Sequence, residues 1–174
     1  KMEETDPEEL KILFQENRNL RFLNLSANGF TRLHSDIFAT NTKFENLYLS
    51  ENFLHNTDWL SSTLVQLHTL NLKGNRLMMI DSRTRQVIEN FVHGYNISLV
   101  DVDGILLNLA NNPISCSCHQ EDTLRWLSNA KRYISDINGI ICSETGSFLS
   151  IYTDDIDFYS HSCNFQSYNG LFEL

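Results

Sequence analysis

Leucines recur along the first two thirds of this chain in register with asparagine. Residues 20–30 (LRFLNLSANGF), 44–54 (FENLYLSENFL), 67–77 (LHTLNLKGNRL) and 104–114 (GILLNLANNPI) all follow L-x-x-L-x-L-x-x-N-x-L, with Phe44 and Gly104 as the weakest first positions. The other half of the unit repeats as well: Phe14-x-x-Asn17-x-x-Leu20 returns as Phe38-x-x-Asn41-x-x-Phe44. Within each L-x-L, apolar and polar residues alternate, the period of a short strand with one buried and one exposed face. Leu23 and Leu25, Leu47 and Leu49, Leu70 and Leu72, and Leu107 and Leu109 are expected to point inward. Leu33, Ile37 and Phe38 are expected to close the coil from the opposite side. Repeats of this length stack, each coil burying its core against its neighbours, so the strands should form a parallel sheet. Asn28, Asn52, Asn75 and Asn112 fall where the chain leaves the strand, and a buried amide there can satisfy backbone groups of two coils.

The spacing breaks once. First positions at 20, 44 and 67 are followed by one at 104. The intervening SRTRQVIENFVHG reads as a helix, with Ser82 as N-cap candidate and Gly94 as C-terminal stop. Val87, Ile88, Phe91 and Val92 lie on one apolar stripe. Two readings of the insert 78–103 remain open: an enlarged helix packing on the last coil, or a loop projecting from the flank for a partner to grip.

The repeat then runs through Pro113 into ISCSC. All four cysteines, Cys116, Cys118, Cys142 and Cys163, lie in the last third of the chain, which suggests a local disulfide framework formed in an oxidising compartment. The sequons Asn24-Leu-Ser26 and Asn96-Ile-Ser98 agree with secretion and mark Asn24 and Asn96 as glycosylation candidates. Zinc is a poor rival, because structural sites pair their ligands at C-x(2–4)-C spacing and the later cysteines stand alone. No catalytic motif is present, the histidines are scattered, and the chain reads as non-enzymatic with no cofactor. A net charge of −9 disfavours nucleic acid and anionic membranes as partners. The acidity is lopsided: no Lys or Arg follows Arg132, while Asp136, Glu144, Asp154, Asp155, Asp157 and Glu173 do. No apolar run is long enough to span a bilayer.

The repeat resembles that of the leucine-rich repeat family. The segment from Pro113, with NPISCSC, Trp126 and the two later cysteines, resembles the cysteine-rich C-terminal cap of its extracellular members. That likeness implies an α/β solenoid with short parallel strands on the concave face, an irregular or helical convex side and a disulfide-bonded cap. It also implies the pairs Cys116–Cys142 and Cys118–Cys163, and a Trp126 that packs over the last coil. HQEDTLRWLSNAKR should form the helix of the cap, with Glu121 and Asp122 at its start and Lys131 and Arg132 near its end. Residues 1–112 would be repeats, 113–163 the cap, and 164–174 a tail leading toward a membrane segment outside this chain.

The convex F-x-x-N segment, and the irregular last repeat before N-P-x-x-C-x-C, look most like the membrane-proximal end of a Toll-like receptor ectodomain. The resemblance implies a type I membrane protein at the cell surface or in the endosome lumen. It would bind a protein or microbial product and form a homodimer or heterodimer. A secreted or adhesive leucine-rich repeat protein, of matrix, synapse or antigen-receptor type, would carry the same coils and cap. The family's usual contact positions fall here on Phe22, Asn46, Tyr48, Asn71, Lys73 and Asn108 of the concave face. Their mild chemistry, and a glycan on Asn24, would shift contacts toward the flank or cap. Because Leu10 to Phe14 already read as half of an earlier coil, the chain is expected to be part of a longer array.

Overall fold

The computed structural model describes residues 7–64, 66–94 and 107–149, with side chains from Leu10 to Phe91 within the first two segments. Asn96, Cys163, most of the insert beyond the helix and the tail 164–174 lie outside the described residues.

Four strands occupy the predicted positions: β1 (Phe22–Asn24), β2 (Asn46–Tyr48), β3 (Thr69–Asn71) and β4 (Leu107–Asn108). They pair in parallel and in register, Leu23 beside Leu47, Leu47 beside Leu70, and Leu70 beside Leu107. The hydrogen-bonded ladder runs past the strands proper. Leu25, Leu49 and Leu72 donate their N–H groups to Tyr48, Asn71 and Asn108 of the next coil, and Ala27, Glu51 and Gly74 do the same to Ser50, Lys73 and Ala110. The inward leucines are buried, apart from a half-buried Leu23 in the first coil.

Each coil leaves its strand through a left-handed residue: Ala27 (φ 58°), Glu51 (φ 54°), Gly74 (φ 67°) and Asn111 (φ 56°). Only glycine and, to a lesser degree, asparagine adopt this conformation cheaply, so the coils differ in strain at one shared position. The asparagine that follows is the internal bracket of the solenoid. Asn52 Oδ1 accepts from the N–H groups of Asn28 and Phe30, while Nδ2 donates to the carbonyls of Leu25 and Leu49. Asn75 and Asn112 repeat the arrangement one coil on. On the convex side Asn41 Nδ2 donates to the carbonyls of Phe14 and Asn17, the same device on the opposite wall.

The convex wall begins with helix α1 (Pro7–Glu16), which buries Leu10 and Phe14. An aromatic spine continues it. Phe38 meets Phe14 at 5.5 Å, Phe44 edge-on at 5.4 Å and Trp59 edge-on at 5.9 Å between ring centroids. Helix α2 (Ser82–Gly94) has the expected extent and buries Val87, Ile88 and Phe91; the Val92 side chain lies outside the described ones. Its cap differs from the expected Ser82. The preceding residue, Asp81, accepts the Thr84 N–H at 2.7 Å, and a carboxylate there also meets the positive end of the helix dipole.

Beyond Pro113 the chain makes one more coil. Strand β5 (Pro113–Ile114) leads to helix α3 (Glu121–Asn129), then to β6 (Ile134–Ser135) and β7 (Ile141–Cys142). β6 pairs in parallel with β4, so the main sheet has five strands among the described residues, and the last comes from the cysteine-bearing segment. β5 and β7 form a second, two-stranded parallel sheet. Lys131 and Arg132 lie past the end of α3 rather than in its last turn, which weakens the expected dipole contact. Leu124, Leu127, Ala130 and Ile140 bury themselves over the last leucine coil, which would otherwise face solvent.

Candidate functional site

Three surfaces carry side chains that the core does not require. The first is the concave face. Phe22 is 58% exposed and its ring meets that of Tyr48 at 5.3 Å. Asn46, Tyr48, Asn71, Lys73 and Asn108 are half-buried along the same face. Three of its asparagines have local work. Asn24, Asn71 and Asn108 each accept, through Oδ1, the N–H of the residue two places on, which turns the chain out of the strand. The asparagine at this position therefore reflects turn chemistry before it reflects any ligand. Lys73 is the one cation among the predicted contact residues.

The second surface is a flank row that starts one residue beyond the buried asparagines. The Arg76 guanidinium lies over the Phe53 ring, 4.4 Å from its centroid, and Met78 and Met79 follow, both exposed. Backbone bonds run along this flank coil by coil: Phe53 N–H to Phe30 O, Arg76 N–H to Leu54 O, and Ser115 N–H to Met78 O. No sequence signal singled the row out, since these are the variable positions of the repeat.

The third surface joins α2 to the terminal coil. Glu89 on α2 accepts from Trp126 Nε1 at 2.7 Å and from the Tyr133 hydroxyl. Burial, together with the facing Glu89 carboxylate, raises the Tyr133 pKa well above the usual phenol range. Thr123, buried on α3, donates to the carbonyl of Ile80. Trp126 is half-buried against the core, so its roles here are packing and anchoring. Within the insert, α2 buries Val87, Ile88 and Phe91 in the core, and residues 95–103 lie outside the described residues.

Cys116 and Cys142 are joined by a disulfide, with a Cα–Cα distance of 5.4 Å. Cys118 is disulfide-bonded as well; the expected partner, Cys163, lies outside the described residues. Glu144 reinforces the same turn. Its carboxylate accepts from Ser115 Oγ at 2.5 Å and from the Cys116 N–H at 2.8 Å. Burial pushes its pKa up, but these hydrogen bonds outweigh that and hold it below the usual glutamate value. His55, His68 and His119 are exposed and His34 pairs with Asp36. Among the described residues no group of carboxylates, cysteines and histidines could hold a metal, and no helix is long and apolar enough to cross a membrane.

No protein-family model matches the chain. Trophoblast glycoprotein of Macaca fascicularis is 29% identical over 111 residues, 63% of this chain and 24% of that protein. The crystal structure of human 5T4, also named trophoblast glycoprotein, superposes with a TM-score of 0.61 at 26% identity, covering 77% of this chain and 44% of that one. Toll, in the glycosylated Toll–Spatzle complex from Drosophila, matches with a TM-score of 0.58 at 24% identity over 81% of this chain and 17% of its own. The chain thus spans about a quarter of the curated relative, and the Toll likeness speaks to the fold alone. Superposing on 5T4 over most of its described length, the chain has the leucine-rich repeat solenoid fold.

Proposed function

We propose that this chain is the protein-recognising, cap-proximal end of an extracellular leucine-rich repeat receptor, and that it grips its partner along the flank. The row formed by Phe53, Arg76, Met78 and Met79 carries this reading. Phe53, Met78 and Met79 are 44%, 55% and 47% exposed, although Leu54, Leu77 and Ile80 already fill the core beside them. Arg76 lies over Phe53, with Met78 and Met79 next along the chain, and aromatic, methionine and arginine side chains are the types enriched in interface cores. The disulfide supports an oxidising compartment. Toll in the matched structure is complexed with Spatzle, and the monkey relative is by name a glycoprotein, both in keeping with the reading. Residues 1–112 then supply the repeats, 113–163 the cap, and 164–174 lead toward the membrane.

The test is a secreted form of the chain probed against arrayed extracellular proteins and microbial lipids. A protein ligand whose affinity falls at least tenfold in the Phe53→Ser/Met79→Ser variant, with the thermal transition unchanged, supports the flank. A ligand insensitive to that variant but lost on Tyr48→Ala and Lys73→Ala moves the site to the concave face.

A narrower reading makes the parent a Toll-like innate immune receptor, and the convex aromatic–asparagine wall of Phe14, Phe38 and Asn41 favours it. A reading frame continuing past Leu174 into an apolar span and a Toll/interleukin-1-receptor domain decides for it. A different continuation favours a secreted or adhesive protein.

A further inference from the structure

The concave asparagines share one turn, but only the first belongs to a sequon. Lys73 and Ala110 stand where Ser26 follows Asn24. Asn24 is exposed, and its Oδ1 holds the Ser26 N–H at 2.9 Å. Its Nδ2 makes no hydrogen bond among the described residues. The buried ladder is the opposite case: the Nδ2 atoms of Asn52, Asn75 and Asn112 all donate to backbone carbonyls. A substituent on Nδ2 would break those brackets. On Asn24 it leaves the Oδ1 bond to the Ser26 N–H intact.

The surroundings of Asn24 are also unlike those of Asn71 and Asn108. Tyr48 sits directly beside it in the parallel register, and Phe22 is two residues earlier on the same face. Cα atoms so placed are about 5 Å and about 7 Å away. The Phe22 and Tyr48 rings meet at a tilt of 41°, and Phe22 is more exposed than any other large hydrophobic residue described. Neither ring is needed to close the core, and a pyranose has an apolar C–H face of matching size that an aromatic ring can cover.

We infer that Asn24 is an N-glycan attachment site and that the Phe22–Tyr48 pair is the platform for its first N-acetylglucosamine. Attachment forms a bond from Asn24 Nδ2 to the sugar's anomeric carbon. It breaks that carbon's bond to the diphosphate of a lipid-linked oligosaccharide donor. The lipid diphosphate leaves with the electron pair, and Nδ2 gives up one proton. The cell's own transferase carries this out, before the sheet folds around the site. Once seated, the sugar covers the concave face at β1 and β2, leaving the flank as the open surface.

The inference rests on the extracellular reading, and the experiment separates the two. The full chain, behind a cleavable secretion leader, is produced in mammalian cells and mapped by peptide mass. A secreted, disulfide-bonded chain carrying sugar on the Asn24 peptide in most molecules is the expected result. Loss of that glycan in Ser26→Ala, which keeps the Asn24 turn, completes it. A secreted, disulfide-bonded chain with Asn24 bare overturns the inference and leaves the extracellular reading standing. Free thiols and retention in the cytosol overturn both. The platform has its own readout. After trimming to one sugar, the N-acetyl methyl resonance should lie upfield in the unsubstituted chain and return to its free-sugar position in Phe22→Ala. An unchanged resonance refutes the stacking.

Discussion

Asn52→Ala tests the internal bracket most directly. Asn52 is 1% exposed. Its amide accepts from two backbone N–H groups, at 3.1 and 3.0 Å, and donates to the carbonyls of Leu25 and Leu49, at 3.0 and 2.9 Å. Truncation strips these four backbone groups of that partner in a place water reaches only through the vacated space. At about 1 kcal/mol for each net hydrogen bond, with a further penalty for a buried group left unsatisfied, the loss comes to roughly 3–5 kcal/mol. A domain of ordinary stability has about 5–15 kcal/mol in all, so the change is severe. Asn28→Ala is the internal control. Asn28 is half-buried and its side chain makes one bond, from Nδ2 to the Ser26 carbonyl at 3.1 Å, so its loss should stay below about 1 kcal/mol. Urea unfolding of the disulfide-intact chain, followed by the fluorescence of buried Trp59, measures both. With a slope of about 2 kcal/mol per molar, Asn52→Ala should lower the midpoint by roughly 2 M. Equal midpoints for the two variants, or a loss at Asn52 below about 1 kcal/mol, would refute the ladder as the bracket between coils.

Removing the Cys116–Cys142 link, a closed loop with a sequence separation of 26, should cost about 3–4 kcal/mol by loop-entropy arithmetic. Exchange of the Leu107 and Leu109 amides should quicken first. The depressed Glu144 pKa means its contribution is complete above the ordinary glutamate value of 4.5 and is lost as pH falls through its folded value; acid unfolding monitored at Trp126 should show this, and Glu144→Gln should flatten that limb. Ala27→Gly and Glu51→Gly relieve left-handed strain and should each raise stability by about 0.5–1 kcal/mol in thermal melts. Gly74→Ala should do the reverse, since its φ is +67° and the new Cβ would meet the Glu51 carboxylate. The chain alone should self-associate weakly, and more strongly with added salt, because the segment after Arg132 carries like charges. Analytical ultracentrifugation across a salt series measures it, and a tight dimer at low salt that salt dissolves contradicts this.

The sheet was legible because its determinants are local and repeat. Leu23, Leu47, Leu70 and Leu107 announce themselves by period, and the buried asparagines by the hydrogen bonds their position must make. Helix α2 was legible for the same reason, its stripe of Val87, Ile88 and Phe91 being self-contained. What stayed hidden depends on partners remote in sequence. Ile134 and Ser135 carry no repeat signature and become a strand only because Leu107 and Asn108 offer an open edge. Trp59 belongs to the spine through Phe38, and Glu89 becomes an anchor only once Trp126 and Tyr133 arrive from the terminal coil. Asp81 and Ser82 are both good caps, and composition alone does not choose between neighbours. The flank row was invisible because Phe53, Arg76 and Met78 occupy positions where the repeat accepts anything.

Helix α2 follows β3 and helix α3 follows β4, so they lie in successive coils linked through Glu89, while β3 and β4 are hydrogen-bonded neighbours. Paired strands advance about 4.8 Å per coil, but packed helices need about 8–10 Å between axes. The outer wall must therefore gain nearly twice the distance of the inner one over that single step. Between β2 and β3 the outer wall is built of turns around Trp59, which do not impose this mismatch. On these spacings curvature is expected to tighten at the terminal coil. A rigid, elongated ligand matched to the arc of β1 to β3 would then part from the surface near Asn108. To follow further, it would have to bend.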